Sequence, residues 1–350
     1  MVKTKILDTT IRDGSYAVNF KYTRTDVRNI VERLVKLGID YIEICHGMGL
    51  NASSPGRGES LYPDDVYIDV AKSCCGDKKL GVFCIPDIAR IEDLKMAKDH
   101  GVDFVRIGVT VDDLDKAIPY VKAAKQFGMD AMVNFMKSYA ASENSFAESA
   151  EIAFNEGADC VYLVDSAGCM LPEDIESFYA AVVTKCADAR LGFHGHNNIG
   201  MGVANALKCA ELGFDLIDCS FQGIGRSIGN VPTEMYVMAA KKKFGDEAYA
   251  IDIPCLLEYG YVVLKEISNR TLNNPLDLIC GYTGFHSSFL KDIYRCCVEY
   301  NVDPLRLIMA YTKYSKVNLD YNVLCDVAKT LPTDNVDEHP YNFRNFFTND

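Results

Sequence analysis

Eight short apolar, β-rich runs recur along the first two-thirds of this chain. They begin near Lys5, Asp40, Leu80, Phe104, Asp130, Cys160, Leu191 and Leu216. Successive starts lie between 24 residues (Leu80 to Phe104) and 40 residues (Asp40 to Leu80) apart. Helix-like stretches fill the gaps. Thr25 to Leu37 carries apolar residues at helical spacing and stops at Gly38. Leu94 to His100 stops at Gly101, Phe146 to Asn155 at Glu156-Gly157, and Ala204 to Leu212 at Gly213. Strand, helix and glycine in that order, repeated about eight times, is the pattern of a (β/α)₈ TIM barrel, which needs ~250 residues. Residues 1–250 supply them. An open doubly wound sheet would carry Gly-x-Gly-x-x-Gly after its first strand, and no such run follows Ile6. The run Gly223 to Gly229 has a different spacing and follows the eighth strand.

After Ala250 the pattern changes. Leu256 to Ile267, Ser288 to Tyr300 and Pro304 to Tyr314 read as helices, so 251–330 is expected to be a smaller helical region beside the barrel mouth or at an interface. The tail, 331–350, holds Phe343, Phe346 and Phe347 and reads as a loosely held arm that docks through its aromatics.

A barrel of this kind keeps its chemistry at the C-terminal ends of its strands. Arg12-Asp13 follows the first run, His46 the second, Lys137-Ser138 the fifth and Asp165-Ser166 the sixth. His194 and His196 end the seventh, and the glycine-rich loop follows the eighth. His-x-His on a strand points both imidazoles to one face. With Asp13 they make two imidazoles and a carboxylate, a facial set for a divalent metal that leaves positions open for substrate. Taken alone, His194-x-His196 also describes two surface histidines, and Arg12-Asp13-Gly14 also describes a turn. What separates the readings is that both segments fall at the same place in the repeat.

Composition narrows the classes. The net charge is −13, opposite to what a nucleic-acid backbone attracts, so no nucleic-acid partner is expected. No apolar run is long enough to span a bilayer, and no membrane partner is expected. The 14 cysteines are scattered, mostly in apolar runs, and the pairs Cys74-Cys75 and Cys296-Cys297 lack Cys-x-x-Cys spacing. Reduced, mostly buried thiols and a cytoplasmic location are expected.

Several segments carry a family resemblance. Asp8 to Ser15, Asp165-Ser166-Ala167-Gly168, His194 to Asn198 and Gly225 to Asn230 resemble the metal-dependent TIM-barrel lyases and synthases. That group includes 3-hydroxy-3-methylglutaryl-CoA lyase, isopropylmalate synthase and 4-hydroxy-2-oxovalerate aldolase. Gly14-Ser15, His46-Gly47-x-Gly49-Leu50, Gly202 to Asn205 and Gly281 to Leu290 resemble the aldolase most closely. The resemblance covers roughly 5–325 and leaves out the tail.

What the resemblance implies is a carbon–carbon lyase acting on a 4-hydroxy-2-oxo acid through a pyruvate-type enolate. Asp13, His194 and His196 would hold Mn²⁺ or Mg²⁺, with Asn230 as a weaker fourth ligand. Arg12 would stabilise the enolate, and Arg12, Ser166 and His194 would contact substrate. A small 2-oxo acid, an aldehyde and a homo-oligomer are the expected partners. In the aldolase branch the C-terminal helices dock an acylating aldehyde dehydrogenase, but the tail here differs, which puts that partner in doubt. Two alternatives stand beside the aldolase: a Claisen-type synthase or lyase acting on an acyl-CoA, and a non-catalytic, partner-dependent subunit.

Two positions depart from the aldolase pattern. Tyr16 stands where the family's base is His, and His286 stands where the family has a substrate-contacting Tyr. Tyrosine has a reference pKa near ~10 and imidazole near ~6.5. The expectation is an exchange of roles, with His286 the general base and Tyr16 a hydrogen-bond or proton donor. The alternatives are an altered substrate without a direct role for either residue, and a dead site. Lys137 is placed for a Schiff base in principle, though solvation or carboxylate binding is the commoner use. Arg226 would hold an anionic end of the substrate or line the rim.

Overall fold

The computed structural model describes residues 4–268 and 275–334. Eight parallel strands close into a barrel: β1 Lys5–Asp8, β2 Tyr41–Ile44, β3 Lys79–Cys84, β4 Phe104–Val109, β5 Asp130–Phe135, β6 Cys160–Asp165, β7 Leu191–Gly195 and β8 Leu216–Cys219. β8 pairs with β1, with Leu7 opposite Asp218 and Asp8 opposite Cys219. Each strand begins within one residue of its expected start. A strand covered on both faces reads as a continuous apolar run rather than an alternating one, and every residue of β4 and β6 is buried.

The outer ring is α1 Arg24–Lys36, α2 Asp64–Lys72, α3 Ile91–Asp99, α4 Leu114–Gln126, α5 Glu143–Asn155, α6 Pro172–Lys185, α7 Gly202–Leu212 and α8 Thr233–Phe244. α1 shows how such a helix is specified. Thr23 Oγ1 accepts from the Asp26 amide while the Asp26 carboxylate accepts from the Thr23 amide, closing a capping box. Val27, Ile30, Val31 and Leu34 face the barrel. Gly38 at φ 79° then ends the helix in a conformation that costs other residues a steric clash.

Inside the barrel, large and small residues alternate. A Cβ on Gly81 would come within 2.0 Å of the Phe104 ring, and one on Gly192 within 2.4 Å of the Tyr162 ring. Leu7, Phe104, Met132, Cys160, Tyr162, Val164 and Leu216 form the plug. Beyond the barrel, α9 Ile253–Ile267 packs Leu256 and Val263 into the barrel core. α10 Pro275–Thr283, α11 Leu290–Tyr300, α12 Pro304–Tyr311 and α13 Tyr321–Ala328 build a second cluster that includes Leu276, Phe285, Ile293, Leu307 and Leu324. This region lies over the barrel mouth: Lys137 Nζ, after β5, donates to the Val317 carbonyl at 2.8 Å.

Several helix limits differ from expectation: the helices read from Leu94, Phe146 and Leu256 begin earlier, at Ile91, Glu143 and Ile253. The helix expected from Ser288 begins at Leu290, because a short 3-10 turn, Ser287–Phe289, follows His286. The helix expected to run to Tyr314 ends at Tyr311. There the Tyr311 hydroxyl accepts from the Asp320 amide at 2.7 Å and donates to the Asn318 carbonyl at 3.1 Å, folding the chain back. All 14 cysteines are free thiols, as expected. Among the described residues no helix is long and apolar enough to cross a membrane. Most of the arm expected at 331–350, including its three phenylalanines, lies outside the described residues.

Candidate active site

β1 delivers the first group. After Asp8 the chain runs through Thr9-Thr10-Ile11-Arg12 into a 3-10 turn, Asp13–Val18, that carries both Asp13 and Tyr16. β7 delivers the second, with His194 inside the strand and His196 just after it. Asp13, His194 and His196 are all buried, and each offers a donor atom within 4.8 Å of the other two.

Further observations show that these residues fit a divalent ion. His194 Nδ1 is 2.7 Å from Asp218 Oδ2, so it donates there and leaves Nε2 as the ligating atom. His196 Nδ1 and Asn230 Oδ1 are buried with no hydrogen-bond partner among the described residues. Asn230 Nδ2 is already engaged with Thr9 Oγ1 and the Ile224 carbonyl, which turns its oxygen free. Gly225 closes the cradle: a Cβ there would sit 2.7 Å from Asp13 Oδ2 and 2.6 Å from Asn230 Nδ2. An orphaned imidazole nitrogen and an orphaned amide oxygen beside a buried carboxylate suit a hard or borderline cation.

The ligand set is held by a buried chain of charge. Arg12 Nη1 donates to Asp13 Oδ1 at 2.8 Å and Arg12 Nε to Glu43 Oε2 at 2.7 Å. Arg106 donates from Nε to Glu43 Oε1 at 2.7 Å, from Nη2 to Glu43 Oε2, and from Nη1 to Asp218 Oδ2 at 2.5 Å. Asp218 in turn orients His194. The chain thus runs from Asp13 through Arg12, Glu43, Arg106 and Asp218 to His194. Three carboxylates face two guanidiniums, so the set has room for positive charge. Burial raises the Asp13 carboxyl, but Arg12, His196 and His194 overcome this and hold it well below the usual carboxylate range. Glu43, likewise opposed by burial, is held at about 2 by Arg106 and Arg12. Burial lowers His196 to about 3, which keeps its nitrogens free of an extra proton at neutral pH. Arg12 also donates from Nη1 to the Gly47 carbonyl at 3.4 Å, leaving Nη2 without a protein partner among the described residues.

A cavity of about 780 Å³ opens above this set. Arg12, Asp13, Tyr16, Ser166, His194, His196, Arg226 and His286 all line it, as does Lys137. Ser166 Oγ accepts from the Lys137 amide at 2.9 Å, so its own proton is available to a ligand. Tyr16 is admitted by Gly47, where a Cβ would come within 2.3 Å of its ring. Burial pushes the Tyr16 phenol up, with Arg226 opposing.

His286 reaches the same cavity from the C-terminal region. Its Nδ1 is 2.7 Å from Ser288 Oγ and its Nε2 is 3.3 Å from Arg226 Nη1. The arrangement that satisfies both has Nδ1–H donating to Ser288 and Nε2 accepting from Arg226. Burial, Arg226 and Lys137 hold this imidazole well below its ordinary pKa. The Arg226 guanidinium also lies 5.3 Å from the centre of the Tyr16 ring. It lines the cavity between Tyr16 and His286.

Other candidates fall outside. His46 is not in the cavity: it stacks on Phe20 at 4.1 Å, accepts from the Met48 amide and sits 3.1 Å from the Gly58 carbonyl. The Asp165 carboxylate turns back to the Cys169 and Met170 amides. Ser138 ties β5 to β6 through Phe135 and Val164. Lys137 Nζ donates to the Val317 carbonyl and has no carboxylate within ion-pair distance among the described residues. Sequence reasoning missed Glu43, Arg106, Asp218 and Asn134, whose buried Oδ1 at the cavity wall has no hydrogen-bond partner among the described residues. The available signal was a polar residue in the middle of an apolar β run, where packing alone would place none.

The chain matches the HMGL-like family model over residues 3–253. It belongs to the HMGL-like family. It is 35% identical to a 4-hydroxy-2-oxovalerate aldolase of Moorella thermoacetica, over 93% of this chain and 96% of that protein. It is 39% identical to an oxaloacetate decarboxylase of Mycobacterium tuberculosis, over 81% of this chain and 83% of that one. The fold matches an HMG-CoA lyase of Brucella melitensis with a TM-score of 0.65 at 18% identity, over 75% of this chain and 98% of that one. Like the aldolase and the decarboxylase, this HMGL-like protein is a carbon–carbon lyase.

Proposed function

We propose that this HMGL-like enzyme is a divalent-metal-dependent aldolase that cleaves or forms the carbon–carbon bond of a 4-hydroxy-2-oxo acid through a pyruvate-type enolate. The observation that carries the reading is the Asp13, His194 and His196 cluster with an Arg12 guanidinium fixed beside it. Relatives named as aldolases, matched along nearly their whole length, support it. Mn²⁺ or Mg²⁺ bound there would act as a Lewis acid toward the 2-oxo acid.

The chain's own residues supply the rest. Arg12 Nη2 is the remaining donor of a guanidinium locked by Glu43, Asp13 and the Gly47 carbonyl, and it is placed to stabilise the oxygen on which enolate charge develops. Such a donor needs no reorientation during reaction. Ser166 donates its free proton to the substrate. His286, unprotonated at neutral pH, takes the proton of the C4 hydroxyl in the cleavage direction. Tyr16, whose phenol stays protonated, donates to the aldehyde oxygen.

Exchange of the pyruvate methyl protons with D₂O, followed by NMR with added Mn²⁺, tests the reading directly. Exchange that depends on metal and on Asp13 is expected, and its absence sinks the enolate chemistry. A second reading, decarboxylation of oxaloacetate, is favoured by the 39% identity to a relative of that name. It would pass through the same enolate, and a coupled assay for pyruvate release from oxaloacetate separates the two.

A further inference from the structure

The cavity has a sign opposite to that of the protein. Net charge over the chain is −13. Yet among the described residues lining the cavity, Arg12, Arg57, Lys137 and Arg226 are cationic and Asp13 is the one carboxylate. Arg12 is neutralised by Asp13 and Glu43. The other three have no carboxylate within ion-pair distance among the described residues.

Two of them are held by groups that fix position without cancelling charge. Arg226 lies against the Tyr16 ring and donates to a neutral imidazole nitrogen of His286. Lys137 donates to the Val317 carbonyl and lies 5.2 Å from the centre of the Phe289 ring. The two cations also repel, for burial and then Arg226 lower the Lys137 ammonium. Half-buried cations that repel one another and lack an anion are unfavourable unless a ligand completes them. The donor geometry suits an oxyanion: a planar fork from Arg226 beside a point charge from Lys137. About 780 Å³ is also ample for more than pyruvate and a two-carbon aldehyde.

We propose that the aldehyde half of the substrate carries its own anionic group, a carboxylate or a phosphate, which Arg226 and Lys137 receive on the side of the cavity closed by the C-terminal region. This rests on the aldolase reading above. It makes Arg226 a specificity-determining residue and gives the Tyr16–His286 pair a second use, to aim its guanidinium.

The test has a binding arm and a turnover arm. In the first, 2-oxoglutarate is titrated against 2-oxopentanoate, and 2-oxoadipate against 2-oxohexanoate, by calorimetry with Mn²⁺ present. Each pair differs only in a distal carboxylate. At least one diacid should bind on the order of tenfold more tightly than its partner, the scale of one charge-assisted contact. Arg226→Gln and Lys137→Gln should each pull that ratio toward one. In the second arm, pyruvate is offered with succinic semialdehyde or butanal, and with glyceraldehyde 3-phosphate or glyceraldehyde. A larger gain in kcat/KM for one anionic aldehyde assigns carboxylate or phosphate. Equal binding within both pairs, or a preference that survives in both variants, overturns the proposal. Pyruvate proton exchange without any anion preference overturns it while leaving the aldolase reading intact. A diacid preference that depends on Arg226, with no exchange, upholds the anion site and sinks the aldolase reading.

Discussion

Arg226 Nη1 stands 3.3 Å from His286 Nε2, and this contact adds to the burial that lowers the imidazole. While the guanidinium donates to Nε2 no proton binds there, so His286 takes the hydroxyl proton only as Arg226 Nη1 turns from it to the substrate. Burial lowers the imidazole first, and Arg226 and Lys137 lower it further. A base acts only when unprotonated. A His286 base would therefore stay competent well below the pH at which a free imidazole fails.

The acidic limb of kcat/KM is expected below pH ~6.5, the reference imidazole value. Arg226→Met removes one of the two cations, so the limb should move to higher pH. His286→Ala should remove the limb and most of the activity, while Tyr16→Phe should do less damage. A pH–rate profile of the three variants checks all of this. A limb unmoved in Arg226→Met would mean that some other group carries it.

Metal binding is readable without turnover. An ion that binds only the folded protein raises its stability, by about 2.7 kcal/mol at a hundred times Kd. Mn²⁺ should raise the thermal midpoint of the wild type and leave Asp13→Ala and His196→Ala nearly unmoved. Asn230→Ala should show an intermediate shift, since its orphaned Oδ1 would be an added ligand. Differential scanning calorimetry with and without chelator reads the effect.

Arg12→Lys keeps a charge but loses the fork that grips Glu43 and Asp13 while leaving Nη2 for substrate. Turnover should fall on the order of 10²-fold or more, the scale of one oxyanion donor. Pyruvate proton exchange should fall with it, because the enolate is the state that the residue serves. Near-normal exchange in this variant would remove Arg12 from the chemistry.

Much of this arrangement was legible beforehand because the barrel imposes a strict repeat. Apolar runs buried on both faces, each followed by a helix and a glycine, give the strand starts, and strand ends give Asp13, His194, His196 and Ser166. What stayed hidden has physical causes. α4 carries Pro119, which reads as a breaker. His46 follows a strand like the functional residues, yet the stacking of Phe20, set by the 3-10 turn after β1, takes it out of the cavity. Glu43, Arg106 and Asp218 pair across 63 and 112 residues, and no local pattern records such a contact. Arg226 meets His286 across 60 residues, so its place between two aromatic neighbours emerged only from the fold.

The buried chain of charge makes the last prediction. Glu43 accepts from both Arg12 and Arg106 and is held at about 2, against an ordinary value of 4.5. A carboxyl lowered on folding contributes stability above its unfolded pKa and loses it as pH falls toward its folded one. The wild type should therefore weaken progressively between pH ~4.5 and pH ~2, with Asp13 adding to the loss in the same direction. Glu43→Gln leaves two buried guanidiniums short of a counter-charge. Breaking a buried pair in this way costs about 3–5 kcal/mol. At pH 7 the variant should be weaker by roughly that amount, and its stability should depend less steeply on pH below 4.5. Urea unfolding from pH 7 down to pH 3 reads both effects. The variant should also lose metal affinity, because Arg12 and Arg106 position Asp13 and, through Asp218, His194. Equal loss in Mn²⁺ binding and in stability would make Glu43 merely structural. Arg106→Met, which removes a guanidinium without touching Arg12, separates these cases. If the chain of charge positions the ligands, Mn²⁺ affinity in that variant should fall even under conditions where it is fully folded.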